Sequence, residues 1–125
     1  MVVSEGTRQV ILIVEDDSLV RLDTADMLRE VGFDVLEASD ADEAIHILER
    51  RSDIAVIFTD IEMPGSMDGL RLAQAVRGRW PPIKIIATSG HFDISESELP
   101  PGGRFLAKPY TFEQVRLTLS EVMAS

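Results

Sequence analysis

Three nearly unbroken apolar runs punctuate the chain: Val10-Ile11-Leu12-Ile13-Val14, Ile54-Ala55-Val56-Ile57-Phe58 and Ile83-Lys84-Ile85-Ile86-Ala87. Runs this short, bounded by polar and turn residues, predict strands buried on both faces, as in parallel sheets. Phe33-Asp34-Val35-Leu36-Glu37 alternates apolar and polar and fits an edge strand, and Arg104-Phe105-Leu106-Ala107 is a short fifth candidate. Between them the period changes to that of helices. Residues 18–31 carry Leu19, Leu22, Leu28 and Val31, with Gly32 placed to end the helix. Ser39 is positioned to cap a second helix, with Asp42 as its weak capping-box partner and Ala41, Ala44, Ile45 and Leu48 as its apolar stripe. Asp68 can cap a third, bearing Leu70, Ala73 and Val76. Thr111 with Gln114 forms a capping box for the last, whose stripe is Phe112, Val115, Leu119 and Val122. The segment 90–103 has no such pattern; one short turn fits near Ser95–Leu99, stopped by Pro100, Pro101, Gly102 and Gly103.

Strand alternating with helix implies right-handed crossovers and a parallel sheet covered on both faces. Ligands of such sheets bind beyond the carboxyl ends of the strands. That rule selects Glu15-Asp16-Asp17 after the first run, Thr59-Asp60 after the third strand, Thr88-Ser89 after the fourth and Lys108-Pro109 after the fifth.

Composition narrows the chemistry. The chain's 125 residues suit one domain, and 45% hydrophobic content supplies a core. Twelve Lys and Arg against 22 Asp and Glu give a net charge of −10, which disfavours nucleic acid as a partner. With no Cys, disulfides, thiolate metal sites and cysteine nucleophiles are excluded. The one N-terminal apolar run stops at Glu15, too short for a signal peptide or membrane span, so a cytoplasmic protein is expected. Residues 1–8 read as a flexible lead-in and 9–123 as the domain.

Carboxylates crowded at one sheet edge raise each other's pKa, and a hard divalent cation relieves the repulsion. Mg²⁺ takes oxygen ligands, whereas the two His, His46 and His91, lie away from these strand ends. A carboxylate beside Mg²⁺ can act as a nucleophile and carry an aspartyl-phosphate. Its anionic transition state needs cations and donors, which Lys108 and Thr88 supply. Taken singly, each residue has a plainer reading: an Asp capping a helix, a turn residue, a surface lysine. Their joint placement at one edge favours the chemical reading.

These pieces resemble the receiver domain of two-component response regulators. The matching segments are 11–17 (Ile-Leu-Ile-Val-Glu-Asp-Asp), 59–65 (Thr-Asp-Ile-Glu-Met-Pro-Gly), 67–70 (Met-Asp-Gly-Leu), 87–90 (Ala-Thr-Ser-Gly) and 105–109 (Phe-Leu-Ala-Lys-Pro). The resemblance implies an α/β, doubly wound, flavodoxin-like sheet of strand order 2-1-3-4-5, like that of a single-domain chemotaxis receiver. It implies Asp60 as phosphoacceptor, Asp16 as direct Mg²⁺ ligand, Glu15 acting largely through water, and the backbone carbonyl of Glu62 as a further ligand. It makes Thr88 the switch hydroxyl, Phe105 the switch aromatic, Lys108 the phosphoryl contact, and the Lys108–Pro109 bond cis. The donor would be a phosphohistidine on a histidine kinase or histidine phosphotransfer protein. The domain would catalyse only its own phosphorylation and dephosphorylation, and phosphorylation would bias two surface states.

The chain departs from the family pattern in an extra residue within 64–69, in the carboxylate of Glu62 and in a short or irregular fourth helix. A haloacid-dehalogenase-type phosphatase wants Asp-x-Asp after the first strand, but Asp60-Ile61-Glu62 follows the third. A dinucleotide site lacks its Gly-x-Gly-x-x-Gly. A pseudo-receiver is disfavoured by the intact Asp16, Asp60, Thr88 and Lys108.

Overall fold

A computed structural model describes residues 8–65, 67–90 and 96–124. The strands are β1 (Val10–Val14), β2 (Asp34–Ala38), β3 (Ile54–Asp60), β4 (Lys84–Ser89) and β5 (Arg104–Ala107), and the helices are α1 (Ser18–Val31), α2 (Ala41–Arg50), α3 (Gly69–Arg79) and α4 (Phe112–Ala124). All strand pairs are parallel, in the order β2-β1-β3-β4-β5. The doubly wound α/β sheet expected from the strand pattern is therefore present, in the expected order.

The apolar runs are continuous because both sheet faces are covered. Val10, Leu12 and Val14 pack toward α2 and α3, while Ile11 and Ile13 pack toward α1 and α4. In β3 the alternation reverses once: Ile54 belongs to the first cluster, but so does Ile57, with Val56 and Phe58 in the second. A register shift between Val10/Ile54 and Ile11/Val56 accounts for it, since one extra residue on one strand moves all that follow to the opposite face.

Local chemistry sets the helix ends. Asp17 caps α1, its Oδ1 accepting from the backbone N–H groups of Leu19 at 3.0 Å and Val20 at 3.1 Å. Gly32 ends it at φ 117°, a left-handed conformation that glycine adopts without a Cβ penalty. Asp68 caps α3 through the Arg71 N–H at 2.9 Å. Thr111 and Gln114 form the expected reciprocal box, at 2.8 and 3.1 Å.

Two expectations need correction. Asp40, not Ser39, caps α2, accepting from the Glu43 N–H at 2.8 Å. Glu43 rather than Asp42 reaches back, taking the Ser39 N–H at 2.7 Å and its hydroxyl at 2.9 Å, and these bonds hold the Glu43 carboxyl below its ordinary pKa. In α1, Leu19 and Leu22 are 77% and 53% exposed, and the buried residues are Thr24, Ala25 and Leu28. Nine residues at 3.6 per turn put Leu19 about 180° around the helix from Leu28, so both cannot face the core.

Between β4 and β5 the described residues form a 3-10 turn, Glu96–Glu98, and no α-helix. Ser95, the first residue of the expected turn, and His91 lie outside the described residues. Glu96 ties the turn to the edge strand by accepting the Phe105 N–H at 3.1 Å. Arg77 of α3 donates to the Pro101 carbonyl at 2.6 Å. Of the expected lead-in, Arg8 is described and ion-pairs with Asp34 at 3.2 Å; residues 1–7 lie outside the described residues.

Candidate functional site

All five strands run the same way, so their carboxyl ends deliver side chains to one edge. Glu15 follows β1, Asp60 ends β3, Thr88 and Ser89 end β4, and Lys108 follows β5. The ladder fixes their spacing. Asp60 is paired with Thr88, and the next residue, Ile61, continues the pairing with an N–H bond of 2.9 Å to the Thr88 carbonyl. Lys108 is held by its own N–H on the Ser89 carbonyl at 2.8 Å.

The Lys108 ammonium lies 2.9 Å from Glu15 Oε1 and 3.2 Å from Asp60 Oδ2. Glu15 and Asp60 are both buried, each 4% exposed, whereas Asp16 is exposed. One carboxylate oxygen from each of Glu15, Asp16 and Asp60 falls within 4.8 Å of the others. Three hard oxygen donors in that span suit a hard divalent cation, and one ammonium among them leaves an excess of negative charge. Burial first, then the charge of Glu15, push the Asp60 carboxyl up to about 6 from 3.8, against the opposing pull of Lys108. Burial lowers the tendency of Lys108 to hold its proton, but the bond to Glu15 and the charge of Asp60 outweigh it, and its pKa is raised. Lys108 therefore keeps its charge at neutral pH, and the Asp60 carboxyl titrates closer to neutrality than an ordinary one.

Backbone and side-chain bonds orient these groups. Glu15 Oε2 accepts the Asp17 N–H at 3.1 Å, and the Arg21 guanidinium donates to the Glu15 carbonyl at 2.9 Å while pairing with Glu37 at 3.2 Å. Asp60 Oδ1 accepts the Glu62 N–H at 3.3 Å. The exposed Glu62 accepts the Ser89 hydroxyl through its carboxylate. Thr88 is buried beside Asp60 in the ladder. Phe105 stays outside the charged cluster, paired with Ala87 and packed with Ile61, Ala87, Leu70 and Leu99. The Lys108–Pro109 bond is cis, as the resemblance implied.

Sequence reasoning missed Arg21, the Glu62–Ser89 contact, and the hydroxyl bond of 2.6 Å between Thr24 and Tyr110. Each joins separate segments, and no local pattern signals it. A groove of about 640 Å³, lined by Leu19, Val20, Thr24, Met27, Pro109 and Tyr110, opens beside Lys108. Among the described residues, no helix is long and apolar enough to cross a membrane.

Fold and site together define a doubly wound α/β protein with an acidic, cation-ready pocket at the carboxyl edge of its sheet. The response regulator receiver domain family matches residues 11–119, and the chain belongs to that family, whose setting is two-component signalling. It is 33% identical over 117 residues to the sensor kinase CckA of Brucella abortus, covering 90% of this chain but only 12% of that protein. It is 29% identical to a chemotaxis protein CheY homolog of Campylobacter jejuni, covering 92% of each. A crystal structure of a response regulator receiver protein from Sinorhizobium medicae superposes with a TM-score of 0.88 at 27% identity, covering 97% of this chain and 98% of that one.

Proposed function

We propose that the chain accepts a phosphoryl group on Asp60 from a phosphohistidine, with Mg²⁺ bound at the acidic cluster, and thereby switches its affinity for a partner. The observation that carries this reading is the Lys108 ammonium 3.2 Å from Asp60 Oδ2, beside two further carboxylates. Asp60 and Asp16 would hold the metal directly, Glu15 largely through water, and the Glu62 carbonyl would complete the protein's share. Bound there, Mg²⁺ would supply positive charge to the phosphoryl oxygens.

The chain's own residues do the rest. An ionised Asp60 oxygen attacks phosphorus; the P–N bond to the donor imidazole breaks, and the imidazole leaves with the electron pair and takes up a proton. Lys108 stabilises the negative charge that spreads over the phosphoryl oxygens. Thr88, next to Asp60 in the ladder, turns its hydroxyl toward the product, and Phe105 follows through the small cluster that includes Ala87. A two-state surface results. The domain is a signalling module that catalyses only its own phosphorylation and dephosphorylation.

The donor would be a histidine kinase or a histidine phosphotransfer protein in the cytoplasm. The exposed Leu19 and the apolar groove beside Lys108 offer such a protein a seat next to Asp60. The net charge of −10 argues against nucleic acid as the target.

Intact mass after incubation with acetyl phosphate and Mg²⁺ tests the reading. One added phosphoryl group on the wild type and none on Asp60→Asn is the expected result. Uptake by the Asp60→Asn chain would overturn the assignment.

A further inference from the structure

A lysine side chain is a flexible four-carbon stem with a charge at its tip, so its aim depends on how firmly its backbone is held. Lys108 has an upstream anchor, its N–H on the Ser89 carbonyl. Two residues downstream stands Tyr110, half-buried, whose ring contacts Phe58 and whose hydroxyl bonds Thr24. Its ring meets that of Phe58 edge-on, with centroids 5.8 Å apart and planes at 75°. Phe58 lies on β3 two residues before Asp60. The Tyr110 hydroxyl is 2.6 Å from that of Thr24, which is 1% exposed on α1, the helix that follows Glu15 and Asp16. Tyr110 thus ties the loop bearing Lys108 to the strand bearing Asp60 and to the helix behind the other carboxylates.

Withdrawing a hydroxyl pair even partly from water is costly unless both groups are satisfied. The surrounding cluster is apolar, with Val56, Val115 and Leu119 among its buried members, so the hydroxyl pair stands out from its neighbours. A bond linking residues 86 apart in sequence fixes a distance that apolar packing leaves looser.

We propose that Tyr110 is a positioning residue, which through its hydroxyl bond to Thr24 and its ring contact with Phe58 holds Lys108 in reach of Asp60. This rests on the phosphoacceptor reading and adds to it the residue that aims the lysine. Tyr110 touches no reacting atom.

Two variants test it, Tyr110→Phe and Thr24→Val, each removing one hydroxyl at nearly constant volume; the second serves if the first fails to fold. The first readout is the Lys108 ammonium signal in proton–nitrogen spectra, which reports whether the lysine is held between its carboxylates. The second is the rate at which acetyl phosphate and Mg²⁺ load Asp60, a step in which the Asp60 oxygen bonds phosphorus as acetate leaves with the electron pair. We expect the ammonium signal to shift or broaden away, and the rate to fall about threefold to tenfold, the effect of one hydrogen bond. An unchanged Lys108 signal overturns the proposal whatever the rate does. So does a changed signal with a rate within about 1.5-fold of wild type. If the wild type takes up no phosphoryl group and the variants still lose the signal, the positioning stands and the phosphoacceptor reading falls.

Discussion

A Cβ built on Gly69 would fall 2.0 Å from the carbonyl oxygen of Asp60 and 2.7 Å from the Cα of Ile61. The first residue of α3 therefore lies directly on the backbone that presents Asp60, and its N–H is bonded to the Ile61 carbonyl at 3.0 Å. The colliding atoms are main chain, so no side chain can move to make room. Gly69→Ala is expected to cost about 1–3 kcal/mol in urea unfolding, the range for overpacking. Gly78 on the same helix has nothing within 4 Å, and Gly78→Ala should instead stabilise by about 0.5–1 kcal/mol, because alanine is the better helix former. Equal effects of the two substitutions would show that the close approach does not constrain α3.

Asp60 gives stability a distinctive dependence on pH. Its carboxyl is pushed up to about 6 in the folded chain from an ordinary 3.8. Between those values the folded state binds more protons than the unfolded one, so this group's contribution makes stability fall as pH rises. Asp60→Asn removes that contribution. With a chelator present, the variant should be more stable than wild type at pH 7, on the order of 1–3 kcal/mol, and the gap should close below about pH 4. Urea unfolding at pH 4 and pH 7 measures it; a gap independent of pH would refute the proposed origin.

Much of the fold was legible because its signals are local. Three five-residue apolar runs and two shorter or alternating stretches named the strands, and the first or second residue after the first, third, fourth and fifth of these named Glu15, Asp60, Thr88 and Lys108, because a parallel sheet aligns its carboxyl ends. Leu19 and Leu22 were misread since hydrophobic identity was counted without its angle around the helix; an exposed leucine on a surface helix is also unremarkable in itself. Ser39 lost the cap to Asp40 because two adjacent capping residues can each start the helix, one position apart, and sequence alone does not rank them. The contacts of Glu62 with Ser89 and of Thr24 with Tyr110 depend on which loops meet in space. The corrected helix face has a direct check. Leu19→Gln should change stability by less than about 0.5 kcal/mol, whereas Leu28→Ala should cost about 2–5 kcal/mol. A large loss at Leu19 would restore it to the core.

The acidic cluster should also make stability depend on a divalent cation. An ion that binds the folded site and not the unfolded chain stabilises in proportion to the logarithm of its concentration over its Kd. Millimolar Mg²⁺ is expected to raise Tm by a few degrees, and Asp16→Ala to abolish most of that shift while leaving the metal-free Tm close to wild type, since Asp16 is exposed. Calorimetry with and without chelator measures both. A Tm indifferent to Mg²⁺ would argue against a metal at Glu15, Asp16 and Asp60.

Glu62 places a further negative charge at the mouth of the site. Its carboxylate raises the proton affinity of Asp60, as the smallest of the influences upon it, and it accepts the Ser89 hydroxyl. An anionic phosphoryl donor approaching Asp60 is repelled by this charge. At a separation of several ångströms and a dielectric close to that of water, as for an exposed carboxylate, one unit charge alters the approach by about 1 kcal/mol. Glu62→Gln keeps the size and a hydrogen-bonding partner for Ser89 while removing the charge, so it should load acetyl phosphate about two- to tenfold faster at low ionic strength. Added salt should shrink the difference, because the Debye length falls to about 8 Å at physiological ionic strength. Ser89→Ala frees the carboxylate without removing it, and should give a smaller gain or none. If Glu62→Gln is no faster than wild type at any salt concentration, the carboxylate does not guard the opening and its bond to Ser89 is structural.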